Sequence, residues 1–169
     1  AKHECVERLE NDEPATVHMI IECEPTTTSD RVFTETMEIL YQKLDMIKSA
    51  FINNDHEKLT VKPAKREFFA WDVVFTDESD TLGNLLSTYL CKYYPDEYNT
   101  TNAFCGYKKP HPSRNDIILR LSSASDFTNI TAEEFDEKES WNNNLKNIIG
   151  TIDQLKELCH KIKDSYVES

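Results

Sequence analysis

Glycine is scarce in this chain: there are three in 169 residues, beside six prolines. A sandwich, barrel or propeller of this size needs more turn formers, so an all-β architecture is not expected. A Gly-rich phosphate loop is also absent from the sequence. The five cysteines, Cys5, Cys23, Cys91, Cys105 and Cys159, are widely spaced and never form C-x-x-C. That pattern makes neither a disulfide framework nor a paired zinc site, and it fits a reducing compartment. The sequons at Asn99 and Asn129 then read as chance. No apolar run approaches the ~18 residues of a membrane-spanning helix. Positive charge is short too, with 19 Lys and Arg against 31 Asp and Glu and a net charge of −12. Gripping a nucleic-acid backbone takes clustered cations, so direct DNA binding is not expected. Two small basic clusters, Lys62/Lys65/Arg66 and Lys108/Lys109/Arg114, read as solvated faces or contacts to an acidic protein.

What is present suffices for one ordinary domain, or a domain with an appendage: 38% of residues are hydrophobic and 30% charged. Residues 1–16 are polar and read as a disordered lead-in. "VHMIIECE", 17–24, reads as a strand, and Ser29 or Asp30 as the N-cap of a helix reaching about Ile52. Its apolar stripe is Phe33, Met37, Leu40, Leu44, Ile47 and Phe51, stepping 4, 3, 4, 3, 4. Residues 53–66 are polar and basic and read as a linker. "EFFAWDVVFT", 67–76, is a strand interrupted by Asp72. An acidic turn and a Leu-rich helix ending before Pro95 follow, with Leu82, Leu85, Leu86, Tyr89, Leu90 and Tyr93 on its apolar face. Beyond the loop 95–103 come a short strand "AFCGYKK", a Pro-bounded turn and the strand "DIILRLS". The acidic linker 123–139 is long for a connection inside a compact domain.

The last helix, 139–166, carries Trp141, Leu145, Ile148, Ile152, Leu155, Cys159, Ile162 and Tyr166, stepping 4, 3, 4, 3, 4, 3, 4. This heptad seam runs about 39 Å at a rise of ~1.5 Å per residue. Packing on the first helix would bury it; so would a second subunit, and the seam's length favours the subunit. Strand, polar linker and striped helix occur twice, at 17–52 and 116–166. That echo predicts that helix 30–52 packs beside helix 139–166 while strand 17–24 joins a sheet of a partner half.

Candidate chemistry is thin. Cys105 and His111 flank Gly106 and Pro110, but a Cys/His nucleophile needs an orienting third group and an oxyanion site. Cys105 sits in an apolar strand, where cysteine packs as a small hydrophobe. Asp77, Glu78 and Asp80 suit the amino end of a helix better than a metal site. No catalytic, metal or cofactor residue is assigned.

Taken together, "FTDESDTLGNLL", "FCGYKKPHPS", "IILRLS" and a long terminal helix resemble the smaller alpha-like assembly subunit of eukaryotic and archaeal RNA polymerases, subunit L in archaea. "TLGN" alone is unspecific; with "GY" 23 residues on and "HP" five later it becomes specific. The form "FCGY…PHPS" is most similar to the version shared by polymerases I and III. The resemblance spans about 67–166. It implies an α+β fold, with a small antiparallel sheet and one short and one long helix, in a dimerisation domain over 67–169.

The resemblance further implies a non-catalytic part in a DNA-directed RNA polymerase. The chain would pair with a larger alpha-like subunit in a platform that holds the two largest, catalytic subunits in the nucleus. Magnesium would be bound elsewhere in the polymerase. Thr81, Leu82, Gly83, Asn84, Leu85, Leu86, Tyr89, Trp141, Leu145, Ile148, Ile152, Leu155, Ile162, Phe33, Met37, Leu40 and Leu44 would form the partner interface. Phe104, Cys105, Gly106, Tyr107, His111 and Pro112 would be a structural motif. Gly83 would let another backbone approach. "VHMIIECEPTTTSDRVFTETMEILYQKLDMI" resembles the closing strand and helix of the larger subunit, as in the fused chains of some large DNA viruses, where a cytoplasmic viral factory or virion replaces the nucleus. A free-standing helical adaptor and a small Cys105/His111 hydrolase are the rival classes.

Overall fold

The computed structural model describes residues 2–8, 14–64, 70–92, 102–111, 113–123 and 136–167. In chain order the elements are β1 (Lys2–Arg8), β2 (Pro14–Ile20), α1 (Ser29–Asn53), β3 (Leu59–Pro63), β4 (Trp71–Phe75), α2 (Asp80–Lys92), β5 (Asn102–Lys108), β6 (Ile117–Ser123) and α3 (Glu137–Val167). The fold is α+β. Four antiparallel strands lie in the order β3-β4-β6-β5, and β1 and β2 form a separate two-stranded antiparallel sheet.

Alternation builds the main sheet. Trp71, Val73 and Phe75 on β4 pair with Leu121, Leu119 and Ile117 on β6, and all six are buried. The same face takes Leu59 from β3, opposite Phe75. Leu82, Leu86 and Leu90 of α2, Ile148, Ile152 and Leu155 of α3, and Leu44, Ile47 and Phe51 of α1 complete one continuous core. The odd member of β4, Asp72, points to the opposite face. There it accepts a two-pronged pair from Arg120, directly opposite on β6, at 2.7 and 3.0 Å. A carboxylate in a central strand is thus matched by the planar guanidinium that fits it best.

Three sequence expectations need correction. The segment 53–66 is not a plain linker, because β3 lies inside it and forms an edge of the main sheet. Its strand is short and flanked by Lys62 and Pro63, so alternation could not announce it. The lead-in 1–16 is not disordered throughout: β1 pairs with β2 from Lys2↔Ile20 to Arg8↔Pro14. A strand polar on both faces leaves no hydrophobic period to read. The strand expected at 17–24 ends at Ile20. The N-cap of α1 is Thr28, whose hydroxyl accepts from the Arg31 N–H at 3.3 Å. The helix closes on Asn54 in the left-handed region, φ 50°, the work glycine usually does at a helix end. The loop 95–103 and the linker 123–139 fall mostly outside the described residues.

Candidate functional site: the helical face and the α2–β5 contact

The stretch Thr81-Leu82-Gly83-Asn84 opens α2, with the N–H groups of Leu82 and Gly83 donating to the Ser79 carbonyl at 3.1 and 3.3 Å. Gly83 is buried. A Cβ there would lie 2.3, 2.6 and 2.8 Å from Cδ2, Cγ and Cε2 of Tyr107. Real Cβ atoms do not approach so closely, so glycine is required by a ring of this same chain. The expected approach of another backbone is therefore corrected. The two halves of the sequence motif, "TLGN" and "GY", meet each other in space. At Gly106 a Cβ would come within 3.2 Å of the tip of the exposed Phe104 ring, a tight contact that a shift of a few tenths of an ångström relieves.

Seven of the seventeen expected interface residues are buried in the core, and five more pack against it. Leu82, Leu86, Leu44, Ile148, Ile152 and Leu155 are at most 2% exposed, so no partner touches them unless the chain opens. Leu40, Leu85, Tyr89, Trp141 and Leu145 are half-buried against that core; Phe33 and Met37 are half-buried farther along α1. Trp141 meets Trp71 in a tilted ring pair, 5.3 Å between centres, and the Trp71 indole N–H donates to Ser140 Oγ at 3.0 Å. Thr81 and Asn84 are exposed, and Ile162 is 39% exposed. The seam of α3 is closed mainly within the chain, against the reading that favoured another subunit. Each helix supplies the surface the other needs.

That closure is specific. α1 and α3 run antiparallel, joined by Asp30 to Tyr166 (2.9 Å), Glu38 to Lys163 (3.1 Å), Asp45 to Lys156 and Lys48 to Asp153 (2.7 Å). Phe33 meets Tyr166 at 4.2 Å between ring centres, and Tyr41 meets His160 at 4.5 Å. Lys156 also lies over the Tyr41 ring. Sequence reasoning found the two stripes but missed this polar ladder, because polar groups 105 to 136 residues apart signal nothing locally. The side chain of Lys163, donating to Glu38, is the first cause of that carboxyl's pKa lying below the ordinary range, with Gln42 next. The sign follows directly: a depressed folded-state pKa contributes stability above the unfolded pKa and loses it as pH falls through the folded one. Thermal melts should therefore show the α1–α3 pair loosening in acid. Lys163→Met should flatten that dependence, while an unchanged acid limb would remove Glu38 as its source.

Exposed apolar side chains remain on α1, with Ile39 at 66% and Met46 at 53% exposure. Met46 borders a groove of about 460 Å³ between α1, β3 and the end of β4, lined also by Ile47, Ala50, Leu59 and Phe75. Lys43 pairs with Glu78 across its mouth at 2.7 Å.

In the expected structural motif, Cys105 and His111 have separate neighbours, Cys91 and Ser113. Burial, and then the neighbouring Cys91, push the Cys105 thiol far above its usual range. His111 is exposed, and its Nδ1 accepts from the Ser113 N–H at 3.1 Å, which shapes the β5–β6 turn. Pro112 lies outside the described residues. Among the described residues no His, Cys, Asp and Glu cluster could hold a metal ion, and no helix is long and apolar enough to cross a membrane.

Comparison with known proteins matches this architecture to one domain type. The model for the RNA polymerase Rpb3/Rpb11 dimerisation domain matches residues 70–164, more than half of the chain. The chain is 46% identical over 61 residues to the DNA-directed RNA polymerases I and III subunit rpc19 of Dictyostelium discoideum, 36% of this chain and 45% of that protein. It is 40% identical over 53 residues to the DNA-directed RNA polymerases I and III subunit RPAC2 of Drosophila melanogaster, 31% of this chain and 45% of that protein. The matches thus span under half the length of either relative.

Proposed function

We propose, from the premise that the chain belongs to the RNA polymerase Rpb3/Rpb11 dimerisation domain family, that it is a non-catalytic assembly subunit of a multisubunit DNA-directed RNA polymerase. The observation that carries the reading is the match over 70–164, which takes in β4, α2, β5, β6 and most of α3. The relatives are named as subunits of polymerases I and III, which supports a subunit of that shared kind, and the nucleus would be its place. The partner would be a larger alpha-like subunit, and the pair would hold the catalytic subunits. The surface available for this comprises Thr81 and Asn84 on α2, Ile162 on α3, and Ile39 and Met46 on α1, all exposed in the free chain.

A second layer of the reading concerns residues 2–53. α1 lies on the α3 seam as a partner's helix would, and a two-stranded sheet such as β1–β2 is marginal in water by itself. Both features fit a segment that belongs to the larger alpha-like half, with β2 completing a sheet there. The test is reconstitution. The tagged chain, co-expressed with the larger alpha-like subunit of its own organism, should elute as a one-to-one complex that then recruits the second-largest subunit. A chain that stays monomeric at micromolar concentrations with that subunit present would overturn the proposal and favour a free-standing adaptor.

A further inference from the structure

We propose that Cys91 and Cys105 form a reversible intramolecular disulfide, a modification site that ties the last turn of α2 to β5. Cys91 is exposed near the end of α2, and its thiol donates to the backbone carbonyl of Cys105 at 3.3 Å. One sulfur therefore rests against the residue that carries the other. Both cysteines are free thiols. They lie 14 residues apart in sequence, and packing of α2 on β5 brings them together. The far end of that packing is set by the Tyr107 ring on Gly83, so the approach of α2 to β5 belongs to the fold. Cys105 also responds to its neighbour: after burial, the charge of Cys91 and the hydrogen bond to it raise the Cys105 pKa.

The oxidant is a small-molecule disulfide such as oxidised glutathione. The Cys91 thiolate attacks one glutathione sulfur, the glutathione S–S bond breaks, and one glutathione leaves as thiolate. Cys105, deprotonated, then attacks the Cys91 sulfur of the mixed disulfide. The Cys91–Cys105 bond forms and the second glutathione leaves. Two electrons and two protons pass from the protein to two glutathione thiols. Exposure puts Cys91 first, since the reactive species is an accessible thiolate. The raised pKa makes Cys105 the slow second step. Below that pKa its thiolate fraction, and hence closure, rises about tenfold per pH unit. Closing a short loop restricts mainly the unfolded chain, so the bridged form should melt several degrees higher.

The experiment treats the full-length chain with oxidised glutathione without denaturant, blocks remaining thiols with iodoacetamide, and maps peptides by mass spectrometry. A linked Cys91–Cys105 peptide pair is expected, formed faster at pH 9 than at pH 7 and reversed by dithiothreitol. Cys105→Ser should instead stop at a stable Cys91–glutathione adduct, and Cys91→Ser should yield neither product. A wild-type chain that accumulates the Cys91 adduct without closing, bridges Cys91 to Cys23 instead, or leaves Cys91 unmodified while exposed Cys23 reacts would overturn the site.

Discussion

Gly83→Ala should destabilise the free chain by up to about 2 kcal/mol, the overpacking cost less the helix-propensity gain, and Gly83→Val should prevent it from folding. Helix propensity alone predicts the opposite sign, since alanine in a helix is favoured over glycine by ~1 kcal/mol. The steric term decides: a Cβ at residue 83 falls 2.3 Å from the Tyr107 ring and 2.6 Å from its Cγ, near the root of the side chain. The ring cannot simply swing away, because β5 is held in register with β6, Tyr107 opposite Leu119. Overpacking of this kind costs about 1–3 kcal/mol even when neighbours adjust. Urea melts of Gly83→Ala, Tyr107→Ala and the double variant provide the check. The loss at residue 83 should vanish once the ring is gone, leaving a coupling of about 1–3 kcal/mol. An additive cycle, or a Gly83→Ala chain as stable as the parent, would show that glycine is there for another reason.

Leu155→Asp should unfold the free chain before any partner is involved. Leu155 is 2% exposed, in the cluster that joins α3 to the sheet and the other helices. Deleting a buried leucine side chain costs about 2–5 kcal/mol, and burying a carboxylate adds to that. The sum is comparable with the ~5–15 kcal/mol that holds a domain together. Ile162→Asp is the contrasting case on the same helix. Ile162 is 39% exposed at the margin of the α1–α3 pair, beside Phe33 and Tyr166. It should shift the free chain's melting little and act, under the assembly reading, on complex formation. Circular dichroism melts of the two variants separate a core seam from a docking seam. A folded Leu155→Asp chain, with parental helix content and melting, would return the seam to the interface.

The helices were legible because their signals are local and repeated. Leucine and isoleucine at steps of three and four announced α2 and α3, and the stripe from Phe33 to Phe51 announced α1. β4 and β6 were legible because Trp71-Val73-Phe75 and Ile117-Leu119-Leu121 alternate. β3 and β1 were not, because a strand that is short or polar on both faces is specified by its neighbour's backbone and not by its own period. The motif residues were recognised as a set, yet their physical use was misread. Gly83 and Tyr107 are 24 positions apart, and only their packing reveals that one is glycine because the other is tyrosine.

The sequence alone determined that Ile148, Ile152 and Leu155 must leave water, since an apolar stripe of that length costs too much exposed. Which surface would cover the stripe was a tertiary decision. A heptad seam is satisfied equally by any complementary helix, and burial of apolar area carries no direction. The choice of α1 rests on features that exist only once the chain has turned back on itself: Asp45 against Lys156, Lys48 against Asp153, Glu38 against Lys163, and Phe33 against Tyr166. Charge and ring geometry fix partner and register where hydrophobicity fixes only the need for one.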